Sequence, residues 1–320
     1  MKLRHIAVLA GLAVTISGGA VAQDSWPSEP VRVIVPTDAG GSVDSIARIV
    51  QRYVEASDAL GEKLVVVNMP GAGGTIATRT VKDAEADGYT IGLWHEGLVT
   101  SAVMGVADYD HTDFRVLGGT GYTEIGLAVG ANNEIQSFER LIDAAREAPN
   151  EVLVATNVGL AVHFIPLMLQ DRAGVEFRYV QVGGGAKRFP SVAAGHTDTA
   201  IFGASELIKW AGADLTPIVF FSEERIPELP DVPTAREMGI DMVADGHRIW
   251  IAPKDTPDEV ATKLTDVLRA AVESDEGRES LVSGGFRAVF IEPEDVEGVL
   301  DGWKTNAEQL VDQAMTLRNN

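Results

Sequence analysis

The chain has no cysteine among its 320 residues. Disulfides are therefore excluded, and so is a lipid-modified cysteine near the N-terminus. The core must hold the fold unaided, and about 300 residues are enough for that and suit two domains. Beyond its first residues the chain also lacks any apolar run long enough to span a bilayer as a helix. Cations are scarce, with 26 Lys and Arg against 47 Asp and Glu. A surface so acidic repels phosphate backbones and argues against a nucleic-acid partner. An anionic ligand, if there is one, must be held by local fields that oppose the global one.

The N-terminus has a different character. Lys2, Arg4 and His5 precede an apolar run from Ile6 to Ile16, and small residues lead to Ala20-Val21-Ala22 just before Gln23. A basic start, a short apolar centre and an A-x-A end form the layout of a secretory signal peptide over residues 1–22. Its removal takes away Lys2 and Arg4 and no acid, so the net charge of −21 becomes −23. The expectation is a free, soluble periplasmic protein.

After this segment, strand and helix patterns alternate. Strands are predicted at Val31–Val35, Leu64–Val67, Thr90–Trp94, Ile125–Val129, Val152–Ala155, Phe177–Gln181, Asp198–Phe202 and Pro217–Phe220. Helices are predicted at Ser42–Ala56, Ile76–Ala84, Phe138–Glu147, Leu160–Arg172 and Pro257–Val272. Short strands separated by helices point to parallel α/β sheets. A last helix from Pro293 repeats Val296, Leu300, Trp303, Ala307, Leu310 and Ala314 at helical spacing, a core stripe. No low-complexity linker interrupts the chain.

Two glycine loops occupy equivalent places between a strand and a helix: Thr37-Asp38-Ala39-Gly40-Gly41, with Asp44 following, and Gly71-Ala72-Gly73-Gly74. Glycine lets backbone approach a ligand closely, and a helix N-terminus offers unpaired N–H groups and partial positive charge. Two such ends facing one point would make an anion site without Arg or Lys. Taken singly, each loop reads better as an ordinary turn capped by Ser42, Asp44 or Thr75. A dinucleotide fingerprint fails, because position 76 is Ile76, and no lysine follows to make a phosphate loop.

Enzyme motifs break in the same way. His95-Glu96 lacks the second histidine of a zinc helix, since position 99 is Val99. Gly203-Ala204-Ser205 continues as Glu206-Leu207 and makes no nucleophile elbow. The six histidines show no metal spacing, so no cofactor, metal or catalytic residue is expected.

Read together, the motifs resemble the receptors of tripartite tricarboxylate transporters, also called Bug receptors. Their V-P-F-x-P-G-G-x-x-D-x-x-A-R loop stands here as Val35 to Arg48, and N-x-P-G-A-G-G-x-x-A is intact from Asn68 to Ala77. A-D-G-Y-T runs from Ala86 to Thr90, L-P-D-V-P-T from Leu229 to Thr234, and Ala252-Pro253 with Thr256-Pro257 matches A-P-x-x-T-P. The resemblance spans essentially the whole mature chain. It implies an α/β, two-lobed type II periplasmic-binding-protein fold with a hinge and an interdomain ligand cleft. One lobe would hold residues 23–124 completed by 247–320, and the other residues 125–246. A ligand carboxylate would lie between the glycine loops, and membrane subunits of the transporter would receive the substrate.

Departures from the family fall on pocket positions. The loop phenylalanine is Thr37 and its second proline Ala39; T-S-G becomes His95-Glu96-Gly97. The S-x-G-x-G-S-x-x-H pattern runs from Ala155 through Thr156, Asn157 and Gly159 to His163, losing two hydroxyls. P-Y-K becomes Gln181-Val182-Gly183, the polar pair after the Asp198 strand is Phe202-Gly203, and the tryptophan before A-P falls near His247. Fewer donors in the far half suggest a ligand with one main carboxylate and a less polar tail. Glu96 either accepts a bond from a ligand hydroxyl or amine, or pairs with Arg248 or another base. One further role stays open on sequence alone, a periplasmic ligand sensor for a signalling partner; a hydrolytic enzyme is the disfavoured alternative, because its motifs break.

Overall fold

The structure, a computed structural model, describes residues 26–183 and 185–318. The expected export segment, 1–22, lies outside them. Among the described residues no helix is long and apolar enough to cross a membrane.

The chain opens as β1 (Val31–Val35), α1 (Ser42–Ser57), β2 (Leu64–Asn68), a 3-10 turn at Ala72–Gly74, α2 (Thr75–Lys82), β3 (Thr90–Trp94) and α3 (Gly97–Val103). The strands β2-β1-β3 lie parallel in that order. All five residues of β3 are buried, as a near-continuous apolar strand covered on both faces must be. α1 buries Val43, Ile46, Ala47, Ile49, Val50 and Val54, a three-to-four-residue stripe that fixes which side faces the sheet.

There follow β4 (Phe114–Gly130), α4 (Phe138–Glu147), β5 (Leu153–Thr156), α5 (Ala161–Ala173), β6 (Arg178–Gln181), α6 (Gly185–Ala193), β7 (Thr199–Gly203), α7 (Ala204–Trp210) and β8 (Leu215–Phe220). The chain closes with β9 (Asp245–Pro253), α8 (Asp258–Glu273), α9 (Asp275–Ser283), β10 (Arg287–Ile291) and α10 (Pro293–Arg318).

β4 is the spine. From Phe114 to Glu124 it pairs with β9 and β10, and from Ile125 onward with β7 and β8. β9 begins at Asp245, directly opposite Glu124, so two strands carry the chain across the same point. Strand order is β2-β1-β3-β9-β4-β7-β5-β6, with β8 and β10 also on β4. The sheets are therefore mixed, which corrects the expectation of parallel sheets. β9 is antiparallel to β3, and every partner of β4 is antiparallel to it, because a strand returning across the same point reverses direction.

Only the second half of β4 was expected from the sequence. Gly118, Gly119 and Gly121 break the apolar alternation of the first half, yet close approach explains them. A Cβ on Gly121, where φ is +83, would lie 2.5 Å from the Arg287 carbonyl oxygen of β10. The stripe from Val296 to Ala314 is buried throughout, packing α10 against α3, β4 and α5. A second apolar cluster around Phe202, Leu207 and Phe220 lies wholly within residues 128–226.

Candidate functional site

Loop one leaves β1 and enters α1 without a side-chain cap: Gly41 is the N-cap residue and makes no capping bond. The first helical bond runs from the Ser45 N–H to the Gly41 carbonyl. The N–H groups of Ser42, Val43 and Asp44 therefore project from the helix end. Asp38, Ala39, Gly40 and Ser42 are exposed around it. Thr37 adds a hydroxyl, Oγ1, that is shielded from solvent and has no partner; it lies 3.5 Å from where a Gly41 Cβ would stand.

Asp44 has a different role from the loop's open amides. It is 2% exposed. Its Oδ2 accepts from the Gly40 N–H at 2.8 Å and from Arg48 Nε at 2.9 Å, and Oδ1 accepts from Asn68 Nδ2 at 2.9 Å. Asn68 also donates to the Thr37 carbonyl at 3.0 Å. Burial works against the carboxylate, but the bonds from Arg48, Gly40 and Asn68 prevail and hold its pKa below the usual range. Asp44 thus ties loop one to the strand that leads into loop two.

Loop two reaches Gly71, Ala72 and Gly73 at the surface. Gly74 and Gly97 lie flat against the Trp94 indole: a Cβ on either would come within 2.6 Å of the ring. Trp94 in turn stacks on His95 at 3.8 Å. The His95 ring accepts the Gly97 N–H through Nδ1 at 2.9 Å. Burial foremost, with Arg248 assisting, drops the His95 pKa to about 4, so the ring is neutral.

Glu96 is 2% exposed. Its Oε1 accepts from both the His247 N–H and His247 Nδ1, each at 2.8 Å. The base that pairs with it is His247, not Arg248. Burial opposes the charge on each partner, yet the mutual bond lowers the Glu96 pKa and raises that of His247.

Behind this pair lies Asp245, whose Oδ1 is buried without a partner. Burial foremost, reinforced by Glu124, Glu96 and Glu223 against the pull of His247, raises its pKa from 3.8 to about 7. A carboxyl with a raised folded pKa contributes stability that is complete below its unfolded pKa and is lost as pH rises through the folded one. Asp245→Asn is therefore expected to gain stability over the wild type progressively from pH 4 to pH 7. The gain should level off on the order of 2–4 kcal/mol. Denaturant unfolding at pH 4, 6 and 8 measures this, and a difference that does not change with pH would refute it.

On the opposite wall the predicted residues turn their polar atoms inward. Thr156 Oγ1 donates to the Val162 carbonyl at 2.9 Å, and Asn157 Oδ1 accepts from Gln181 Nε2 at 2.9 Å. His163 is fully buried; its Nδ1 accepts the Gly159 N–H at 3.2 Å, its Nε2 has no partner, and burial drops its pKa to about 4. Phe202 is 1% exposed, edge-on to Trp210 at 5.6 Å and beneath Arg188. Arg188 was not singled out in the sequence. Its guanidinium is buried, donates to the Gly183 and Ile201 carbonyls, and keeps Nε unpaired.

The two walls meet. A Cβ on Gly73 would lie 3.1 Å from the Leu160 side chain, and one on Gly285 would lie 2.1 Å from Ser205 Cβ. An open recess of about 600 Å³ is bordered by Ala39, Gly40 and Asp44 of loop one together with Arg48, Arg52 and Phe286. It takes residues from loop one but none from loop two or from 125–246.

A mixed α/β sheet crossed by two strands, with helix N-termini gathered at the crossing, defines a two-lobed solute-binding protein of the periplasmic type. The chain belongs to the tripartite tricarboxylate transporter family of receptors, whose pattern matches residues 46–313. It is 31% identical over 281 residues to a UPF0065 protein of Agrobacterium vitis, covering 85% of this chain and 80% of that one. The periplasmic binding protein BugD is 25% identical with a TM-score of 0.77, over 90% of this chain and 98% of that one. Likeness of fold extends to MatC of Rhodopseudomonas palustris, solved with bound malate (23% identity, TM-score 0.78, 89% and 100% covered). It extends also to a second R. palustris protein, solved with adipate (24%, 0.76, 90% and 98%). The family is one of receptors and BugD is a binding protein, and the chain is a receptor rather than an enzyme.

Proposed function

We propose that the protein is exported and seats the carboxylate of a small organic acid between its two glycine loops. Residues 125–246 close over a less polar tail, and membrane subunits of a tripartite transporter receive the ligand. The observation that carries this reading is the uncapped N-terminus of α1, where open N–H groups meet an unpartnered Thr37 hydroxyl. Such an end prefers an anion. The carboxylates held by the two R. palustris proteins support the class of ligand. Support for the apolar tail comes from the far wall, where Thr156 and Asn157 use their polar atoms on their own loops. Arg188 is the donor on that side that could favour a second carboxylate.

Thermal unfolding of ligand-stripped protein against hexanoate, adipate, malate and citrate tests this. An acid at about a hundred times its Kd adds roughly 2.7 kcal/mol, several degrees of melting temperature. Hexanoate is expected to stabilise and citrate to leave the transition unchanged. Stabilisation by adipate or malate alone would keep the receptor and remove the tail argument. No response to any of the four would remove the carboxylate seat.

A further inference from the structure

Arg248 lies on β9, three residues beyond Asp245, whose Oδ1 lacks a donor, and is 7% exposed. Nη1 donates to the carbonyls of Gly246 at 3.2 Å and His247 at 3.0 Å. Nη2 reaches Ser42 Oγ at 3.3 Å, a long contact, and Nε has no partner although water does not reach it. The guanidinium rests over the Phe286 ring at 5.0 Å. Among the described residues no carboxylate stands within ion-pair distance of it. Glu96 and Glu206 act on it only through space, since Glu96 is bonded to His247 and Glu206 accepts the Gly203 N–H.

In a chain with 47 acids this is a conspicuous omission. Main-chain carbonyls satisfy hydrogen bonds but leave the charge uncompensated, and burying an unpaired charge is strongly unfavourable. The under-used edge of the guanidinium is the one formed by Nε and Nη2. It points toward Ser42, the first residue of α1, where the helix end is open and the Thr37 hydroxyl is idle. A planar carboxylate is the group that fits such an edge side-on.

We propose that Arg248 is the counter-ion of the bound ligand. The carboxylate accepts from the Nε–Nη2 edge on one side and from the first-turn N–H groups of α1 and Thr37 Oγ1 on the other. The seat is then a charged site, selective for an ionised acid over its uncharged amide or ester. Displacement of the long Ser42 contact accompanies binding. This rests on the carboxylate reading above and adds to it a residue that the loop motifs do not contain.

Calorimetric titration of hexanoate, adipate and hexanamide into wild type, Arg248→Lys and Arg248→Met tests it. The acid that binds wild type is expected to bind Arg248→Met at least about 30-fold more weakly and Arg248→Lys roughly 10-fold more weakly, as loss of a charge-assisted bidentate pair predicts. The preference for acid over amide should shrink with it. Affinities within about threefold of wild type overturn the assignment and leave the receptor intact, as does an equal loss for acid and amide, the mark of a purely structural arginine. Failure of wild type to bind either acid overturns the carboxylate reading and this inference together. Should Arg248→Met not fold, a crystal structure of wild type with the bound acid decides. A carboxylate oxygen within about 3.2 Å of Nε supports the pairing, and an Nε still unpaired beside a bound acid overturns it.

Discussion

Asp44→Ala is expected to lower stability by about 3 kcal/mol, roughly 6 °C or more in melting temperature, and to abolish acid binding at millimolar ligand. The side chain is almost fully buried and holds together three groups that have no other common partner: the Gly40 N–H, Arg48 Nε and Asn68 Nδ2. Truncation strips acceptors from a loop amide and a side-chain amide at once, and hydrogen bonds to a charged acceptor are worth more than neutral ones. The loop then loses the bond that fixes Gly40 at φ +85 and presents the end of α1 to the cleft. Asp44→Asn keeps the shape but cannot accept at every oxygen site, so an intermediate loss is expected. The sign of the pH dependence follows from the lowered pKa. The contribution of Asp44 is present above the unfolded value of 3.8 and is lost as pH falls through the folded one. Wild type and Asp44→Ala should therefore converge in stability in strong acid. Equal melting temperatures of the two at pH 7 would show that the network does not hold the loop.

Much of this arrangement could be read from the sequence where the signal is local. The glycine loops announce themselves by composition and by their place between strand and helix, and the α10 stripe follows from spacing alone. Asp44 was legible as a residue of the loop but not as its clasp, because its partner Asn68 is 24 positions away and is brought near only by the pairing of β1 with β2. Glu96 stayed open for the same reason. His247 is 151 residues distant and meets it across β3 and β9, a strand the apolar pattern did not reveal. Arg188 and Arg248 carried no motif at all. What distinguishes them is burial without a counter-charge, and burial is a property of the folded sheet rather than of any window of sequence. The first half of β4 was hidden by its own glycines, which are there because β10 passes too close for side chains. Local chemistry was legible, and contacts made across the two crossing strands were not.

Gly285 sits in the turn between α9 and β10, one residue before the Phe286 ring that supports Arg248. It faces Ser205 in the first turn of α7, in the 125–246 half of the chain. Its φ is +78, and an added Cβ would stand 2.1 Å from Ser205 Cβ, 2.8 Å from its Cα and 3.0 Å from its Oγ. No rotamer change relieves a contact with Cα, so Gly285→Ala must move one wall away from the other. Two effects then separate. The left-handed backbone costs about 1–2 kcal/mol in any state of the protein. If ligand closes the lobes as proposed, the clash acts only when they are together and so opposes the ligand-bound form selectively, as differential stabilisation of two states requires. We expect acid affinity to fall at least about tenfold, with a larger radius of gyration by X-ray scattering at saturating ligand. Adding Ser205→Gly removes Cβ and Oγ but leaves Cα, so the double variant should recover part of the affinity and none of the backbone cost. If Gly285→Ala bound acid as well as wild type, the contact would be incidental to closure. If the double variant recovered nothing, strain in the turn beside Phe286, rather than the meeting of the walls, would be what governs the seat.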